Sequence, residues 1–487
     1  MTSRALLALG VTAAPALGAV LSALAPRRTV TAVAMVCALA TGGLAVGLCA
    51  VALADPGSPF VGDWVVVDAA AGLLVGVIGL VGLASFVVSP AYLRTAGSTL
   101  VRPRQRTRMY YALLFAFWTT LLAVPLAGNL AGAWLLVEAT TAASAVLVGF
   151  SGRPRALEAG WKYLILTSLG LGLALLGIVL LAAGTPAGGL EALSWRALAT
   201  YESGRETALV AYLLLLGGLA AKVGWAPVHN WLPDAHSEAP PPVSALLSSA
   251  LLPAVLLVAW RSEQSLAPVV GAGTARSVLI GFGLVSLAVA VPFLWRPLAW
   301  KRLLAYSSLE HMGVIALGVG FATPLALAGV AVHIAAHAVA KALGFYAATP
   351  LVGHEPRAAR HAVTGIGRTQ PTLGSAIGVS LGALAGLPPS PLFVSEVLIV
   401  AGGFQAGRSW AAAGATLLLT LGFLGLAHAM IETTVGKAHR RDRTRTPGLR
   451  SLAALTVVSA VLLLGLTGAA VWLPGSDLVD ALMKGVA

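Results

Sequence analysis

Charge is scarce in this chain. Asp, Glu, Lys and Arg make up 10% of its 487 residues, 58% are hydrophobic, and the mean hydropathy is +0.89. A soluble domain carries about 25% charged residues, so a water-facing surface over most of the chain is excluded. Cysteine is scarcer still: Cys37 and Cys49 stand alone, both in one apolar stretch. An iron–sulfur cluster or a structural zinc site takes about four ligands. No cofactor is therefore expected in this chain, and any redox chemistry must belong to partners. The net charge of +13 does not point to nucleic acid. A nucleic-acid binder gathers its basic residues on a soluble face, whereas here they sit in short loops between apolar runs. The N-terminus, with Arg4, an apolar run and Ala23-Leu24-Ala25-Pro26, imitates a secretory signal. The run is long, Pro26 would directly follow the cut and Arg27-Arg28 come next, so an uncleaved first helix is expected.

What the sequence has in abundance is spans. A membrane helix needs about 20 mostly apolar residues. Such segments lie at 4–24, 30–52, 67–90, 109–126, 129–150, 160–183, 207–224, 242–260, 277–295, 303–321, 324–349, 372–402, 408–431 and 450–472. They predict an all-α polytopic protein of about fourteen transmembrane helices. The positive-inside rule is an independent check. With the N-terminus outside, the cytoplasmic loops hold Arg27 and Arg28, then Arg94, Arg102, Arg104, Arg106 and Arg108, then Arg153, Arg155 and Lys162. The later ones hold Arg296, Lys301 and Arg302; Arg357, Arg360 and Arg368; and Lys437, Arg440, Arg441, Arg443, Arg445 and Arg450. That is 22 basic residues against 7 on the other side: Arg4, Arg196, Arg205, Arg261, Arg276, Arg408 and Lys484. A miscounted helix would scramble the bias. The expectation is an inner-membrane protein with both termini on the non-cytoplasmic side.

Several charges fall inside spans, where each costs about 2.5–3.5 kcal/mol on insertion scales. They are Glu138 in the fifth span, Lys222 in the seventh, Glu310 and His311 in the tenth, His333, His337 and Lys341 in the eleventh, and Glu396 in the twelfth. Any one could be a packing residue satisfied by a neighbour. Eight in five spans point to an ion path. His333, His337 and Lys341 are spaced i, i+4, i+8, each displaced about 40° around and 6 Å along the helix, which makes a stripe about 12 Å long. A histidine ring carries a proton donor and an acceptor on opposite sides and titrates near neutrality, so the stripe suits proton transfer. The alternative is a zinc site. No third ligand lies on that helix face, so no metal is expected.

The seventh span runs into Pro227, Pro233 and a polar stretch, HNWLPDAHSEAPPP (229–242), which also carries His229. The twelfth contains GLPPSP (386–391), with Pro388 and Pro389. Proline removes a helix hydrogen bond, and broken backbone at that depth is tolerable only inside protein or beside water. Spans 4–8 and 9–13 are two sets of five, each interrupted in its fourth member. An odd number of spans per set gives the copies opposite orientations, as in inverted-repeat transporters. The expected divisions are 1–108, a three-helix segment; 109–260 and 261–431, the two five-helix repeats; and 432–487, the last helix. Gly170, Gly172 and Gly177 imitate a dinucleotide fingerprint only loosely, with four residues rather than two before the last glycine, and they lie inside a span with no strand before them, so helix packing is expected.

Four stretches carry a resemblance: AKVGWAPVHNWLPDAHSEAPPPVSALLSSALL (221–252), WKRLLAYSSLEHMGVIALGVG (300–320), HIAAHAVAKALGFYAA (333–348) and GLPPSPLFVSE (386–396). Over residues 60 to 430 the chain resembles the antiporter-like subunits of respiratory complex I, the multi-subunit cation/proton antiporters and the group 4 hydrogenases, in particular the component F type of hydrogenase-4 and formate hydrogenlyase. The resemblance implies a proton-translocating subunit of a redox complex, with membrane and peripheral partner subunits carrying nickel–iron, iron–sulfur or flavin groups. A cation/proton antiporter subunit without redox chemistry is the alternative, with Na⁺ in place of H⁺ as a second ion. By resemblance Glu138 pairs with Lys222, His333, His337 and Lys341 form the central axis, and Glu396 ends it. The family often has a lysine where this chain has Pro253, and an aspartate where it has Ala299. These departures imply an altered bridge between the halves and altered cytoplasmic access. No long lateral helix follows span fourteen, unlike the largest complex I type.

Overall fold

Backbone polar groups in lipid must pair within their own segment, so apolar runs of this length become helices. The computed structural model describes residues 3–95, 105–354, 363–437 and 448–485. Arg102, Arg104, Arg357, Arg360, Arg440, Arg441, Arg443, Arg445 and Ala487 lie outside the described residues.

The first half contains α1 (Ser3–Leu24), α2 (Val30–Ala54), α3 (Ala69–Thr95), α4 (Arg106–Ala123), α5 (Leu130–Val148), α6 (Pro154–Gly184) and α7 (Arg205–Val223). A short α8 (Leu232–Glu238) and α9 (Pro241–Leu246) lead through a π-helical turn, Leu247–Leu251, into α10 (Leu252–Val270). The second half contains α11 (Ala272–Leu294), α12 (Trp300–Phe321), α13 (Pro324–Tyr346), α14 (Thr349–His354), α15 (Ile366–Thr369), α16 (Pro371–Leu384), α17 (Pro391–Gln405) and α18 (Ser409–Val435). Then come α19 (Leu449–Trp472) and α20 (Asp477–Lys484). A two-stranded hairpin, Phe60–Val61 with Val66–Val67, precedes α3.

Among the described residues, 13 helices are long and apolar enough to cross a membrane. The shorter α16 and α17 together stand where the twelfth span is expected. The polytopic all-α reading therefore holds, with the twelfth span split in two. The eighth span is longer than expected: Pro241–Val270 is continuous and wholly buried over its most apolar stretch. Consequently Arg261 is not a loop residue but a 3% exposed side chain within α10. It pairs with Asp68 at 2.9 Å. Arg4 is likewise inside α1, donating to the carbonyls of Val51, Asp55 and Ser58. Lys301 lies in the first turn of α12, its ammonium donating to the Ser237 and Ala239 carbonyls. A polar run ends a span in a hydropathy window, but a helix continues when the protein supplies partners.

Helices α6 and α7 pack closely because Gly170 and Gly177 of α6 meet the backbone of α7, and Gly218 returns the contact. Gly172 faces open space. The fingerprint-like glycines are a packing surface. A side chain at Gly218 would overlap the Gly170 carbonyl and the Ala174 backbone. Gly218→Val should therefore cost about 1–3 kcal/mol, visible as a lower thermal midpoint of the purified chain. The same change at Gly172 should leave the midpoint in place.

Candidate functional site

The two interruptions are built alike. Helix α7 stops at Gly224, whose left-handed backbone (φ 80°) no β-carbon favours, and Pro227 follows. The freed Ala226 N–H donates to Ser286 Oγ of α11 (3.1 Å), and the Trp225 indole to the Met312 carbonyl (3.0 Å). Helix α16 stops before Gly386 (φ 74°), and Pro388 and Pro389 follow. Ser390 donates to the Ala383 carbonyl and accepts from the Leu392 N–H at 3.1 Å each. Broken backbone is thus satisfied by protein, as a bilayer requires.

In the first half Lys222 is fully buried. Its ammonium donates to Thr141 Oγ1 (2.6 Å) and to the Tyr163 hydroxyl (2.5 Å). Glu138, half-buried on α5, accepts from Ser168 Oγ (2.6 Å), while its second oxygen has no partner. The expected Glu138–Lys222 contact is therefore not a direct ion pair. Thr141, one turn on from Glu138, and Tyr163 of α6 occupy the lysine instead. Tyr163 packs at a tilt of 50° against Trp231 (4.7 Å), which neighbours His236 (6.2 Å). The His236 Nδ1–H bonds the Leu232 carbonyl (2.9 Å), leaving a buried Nε2 without a partner. Nothing in the sequence set His236 apart from His229. Burial does: His236 is enclosed, whereas His229 sits half-buried on a turn between exposed Val228 and Asn230. No hydrogen bond or ring contact joins His229 to the axis among the described residues.

In the second half Lys341 donates to Ser307 Oγ (2.8 Å) and the Leu304 carbonyl (3.1 Å). His337 is buried, both ring nitrogens lack partners, and it lies 5.2 Å from the His311 ring. His311 Nδ1 meets His333 Nε2 at 3.0 Å, and His333 Nδ1 meets Ser395 Oγ at 2.9 Å. Ser395 spends its own proton on the Leu392 carbonyl. Its oxygen must then accept from His333 Nδ1–H, so His333 Nε2 accepts from His311 Nδ1–H. In that tautomer all three hydrogens run one way, and the buried His311 Nε2 makes no close hydrogen bond. Glu310, 3% exposed, has one oxygen without a partner. Its carboxylate fits because Gly422 has no side chain. Glu396 is half-buried and borders an apolar groove of about 590 Å³ with Phe393, Phe404 and Phe423. Donor atoms of His311, His333 and Glu396 lie within 4.8 Å of one another, a spacing that would also admit a metal ion. The three come from three helices, and His337, the other member of the expected pair, is not among them.

A family model for the transmembrane region of NADH:quinone oxidoreductase and the Mrp antiporter matches residues 127–423. The chain belongs to that family. It is 33% identical over 350 residues to a hydrogenase-4 component F homolog of Methylacidiphilum infernorum, covering 71% of each chain. It is 28% identical over 419 residues to NADH-quinone oxidoreductase subunit N of Desulforudis audaxviator, covering 81% of this chain and 80% of the relative. The fold matches a chain of the Mrp complex from Dietzia sp. with a TM-score of 0.80 at 22% identity, over 100% of both chains. The resemblance expected from WLPDAH and AYSSLEHMG is borne out, and the chain is a multi-pass membrane protein of this family.

Proposed function

We propose that this chain is the proton-translocating membrane subunit of a multi-subunit redox complex, of the hydrogenase-4/formate-hydrogenlyase or complex I kind. The observation that carries this reading is the succession of buried and half-buried ionisable groups from Glu138 and Lys222 to His311, His333 and Glu396. Hydroxyls both donate and accept, so Thr141 and Tyr163 can pass a proton from Lys222. His236 then stands where a bridge between the halves is needed, taking the place of the lysine that Pro253 replaces. Lys341, His337, His311 and His333 continue the line to Glu396. Opposite charges favour each other's ionised forms. Moving the Glu138 carboxylate away from the lysine therefore releases its proton towards His236. Imidazole nitrogens suit a proton better than Na⁺, a hard cation that prefers oxygen ligands.

Residues 109–260 and 261–431 act as two oppositely oriented repeats in this reading. The inner membrane holds the chain with both termini outside. A reporter active only outside the cytoplasm, fused after Ala487, should be active, whereas activity of a cytoplasm-only reporter would reverse the topology. Electron transfer belongs to partner subunits carrying nickel–iron, iron–sulfur or flavin groups. The purified chain alone should oxidise neither NADH, formate nor hydrogen, and stoichiometric flavin, nickel or iron–sulfur bound to it would contradict this.

The functional test uses the assembled complex in sealed vesicles with a pH-sensitive dye. Electron donor should drive a pH change across the membrane without an added cation gradient. If only an imposed Na⁺ gradient moves protons, and donor does nothing, the second reading of a cation/proton antiporter subunit replaces this one.

A further inference from the structure

A polar cavity of about 430 Å³ lies away from the axis, lined by Asp55, Asp68, Arg261, Gln264, Asp480 and Lys484 among others. Its walls come from the α2–α3 connection, the last turns of α10, and α20, all on the side the loop charges place outside. Behind it is a narrow apolar cavity of about 10 Å³, room for about one water. The two share Ala70, Leu257, Trp260 and Leu482. The far wall of the narrow one is Pro253, Val330, Ala331 and Ile334. These α13 residues bracket His333, and His337 lies one turn beyond Ile334. The π-helical turn Leu247–Leu251 ends two residues before Pro253, so the entry to α10 is irregular beside this wall. Helix α20 covers the cavity: Val479 and Leu482 are buried, Asp480 and Lys484 face out, and Gln264 Nε2 donates to the Leu482 carbonyl (3.0 Å).

We propose that this cavity is the outer mouth of the ion path, and that Leu482 of α20, with Leu74, Pro253 and Leu257, forms an apolar gate between its water and the histidine helix, whose Ile334 lies behind it. An apolar constriction interrupts a water chain by drying, and wetting it restores conduction. The acidic lining (Asp55, Asp68, Asp477 and Asp480 against Arg261 and Lys484) draws cations to the mouth. The proposal rests on the proton-path reading, but its test does not measure protons.

Cys37 and Cys49 are free, so both are first replaced by serine in the assembled complex. Ala54→Cys, at an exposed position of the cavity lining, then reports the mouth, and Ile334→Cys the space behind the gate. Membrane-impermeant thiol reagents are added from outside. Ala54→Cys should label readily, faster with a cationic than an anionic reagent, and Ile334→Cys slowly. Adding Leu482→Ala should speed labelling at Ile334→Cys by about tenfold. Gln264→Leu, which frees α20 without cutting its side chain, should do the same, and it guards against misfolding of the first variant. An unlabelled Ala54→Cys, or an Ile334→Cys indifferent to both changes, would overturn the gate. Normal labelling with undiminished transport in Lys341 variants would instead overturn the path.

Discussion

Lys341→Ala lowers proton translocation about a hundredfold, the range a positioned proton-transfer group supplies, while electron transfer in the partner subunits continues. The reasoning is geometric. Lys341 is fully buried and donates to Ser307 and the Leu304 carbonyl. In the proposed line it follows His236, whose Nε2 is unpartnered, and precedes His337, one turn back on α13. Alanine leaves no group that can carry a proton across that gap. Gly422→Ala tests the same region without removing a titratable group. Its methyl would overlap the Glu310 carboxylate, so Glu310 must move and transport should fall by less than in Lys341→Ala. Both are read as dye response per unit of donor oxidised. Lys341→Arg, which keeps the charge but holds its proton far more tightly, should also fail. A conducting arginine variant would assign Lys341 a purely structural role.

Asp68→Ala has the second large effect, on stability. Asp68 accepts two 2.9 Å hydrogen bonds from Arg261 and caps α3 through the Ala71 N–H at 2.7 Å. Removing one partner of a buried pair costs about 3–5 kcal/mol, because the other charge stays buried and unpaired. Losing the cap adds about 0.5–2 kcal/mol. The purified chain should unfold at a clearly lower temperature. Asp68→Ala combined with Arg261→Met should recover much of the loss, since no buried charge remains. If the double variant is no more stable than the single, the unpaired arginine is not the cause.

Patterns that repeat along one helix were legible in the sequence. The apolar runs, the prolines of GLPPSP and the i, i+4, i+8 stripe of α13 all appear in the structure. Relations between helices were not. The family resemblance pairs Glu138 with Lys222, yet Thr141 and Tyr163 take the lysine. Neither residue is unusual in an apolar span. His236 looked like a loop histidine because its neighbours are prolines and acids, and only packing buries it. Arg261 ended a span on paper because hydropathy counts its charge and cannot see Asp68 from 193 positions away. His311, His333 and Glu396 converge from α12, α13 and α17, a meeting that no single periodicity encodes.

The central claim is that Lys222 and Glu396 lie on one path in series. A double-variant cycle on proton-to-electron ratio tests it directly, using Lys222→Ala, Glu396→Gln and both together in sealed vesicles, with donor oxidation followed in the same sample. Residues acting as one unit are strongly non-additive. In series, each single variant should stop most transport, and the double should be no worse than the slower single. If each single retains a substantial ratio and the two losses multiply in the double, the halves conduct independently and the single path is wrong.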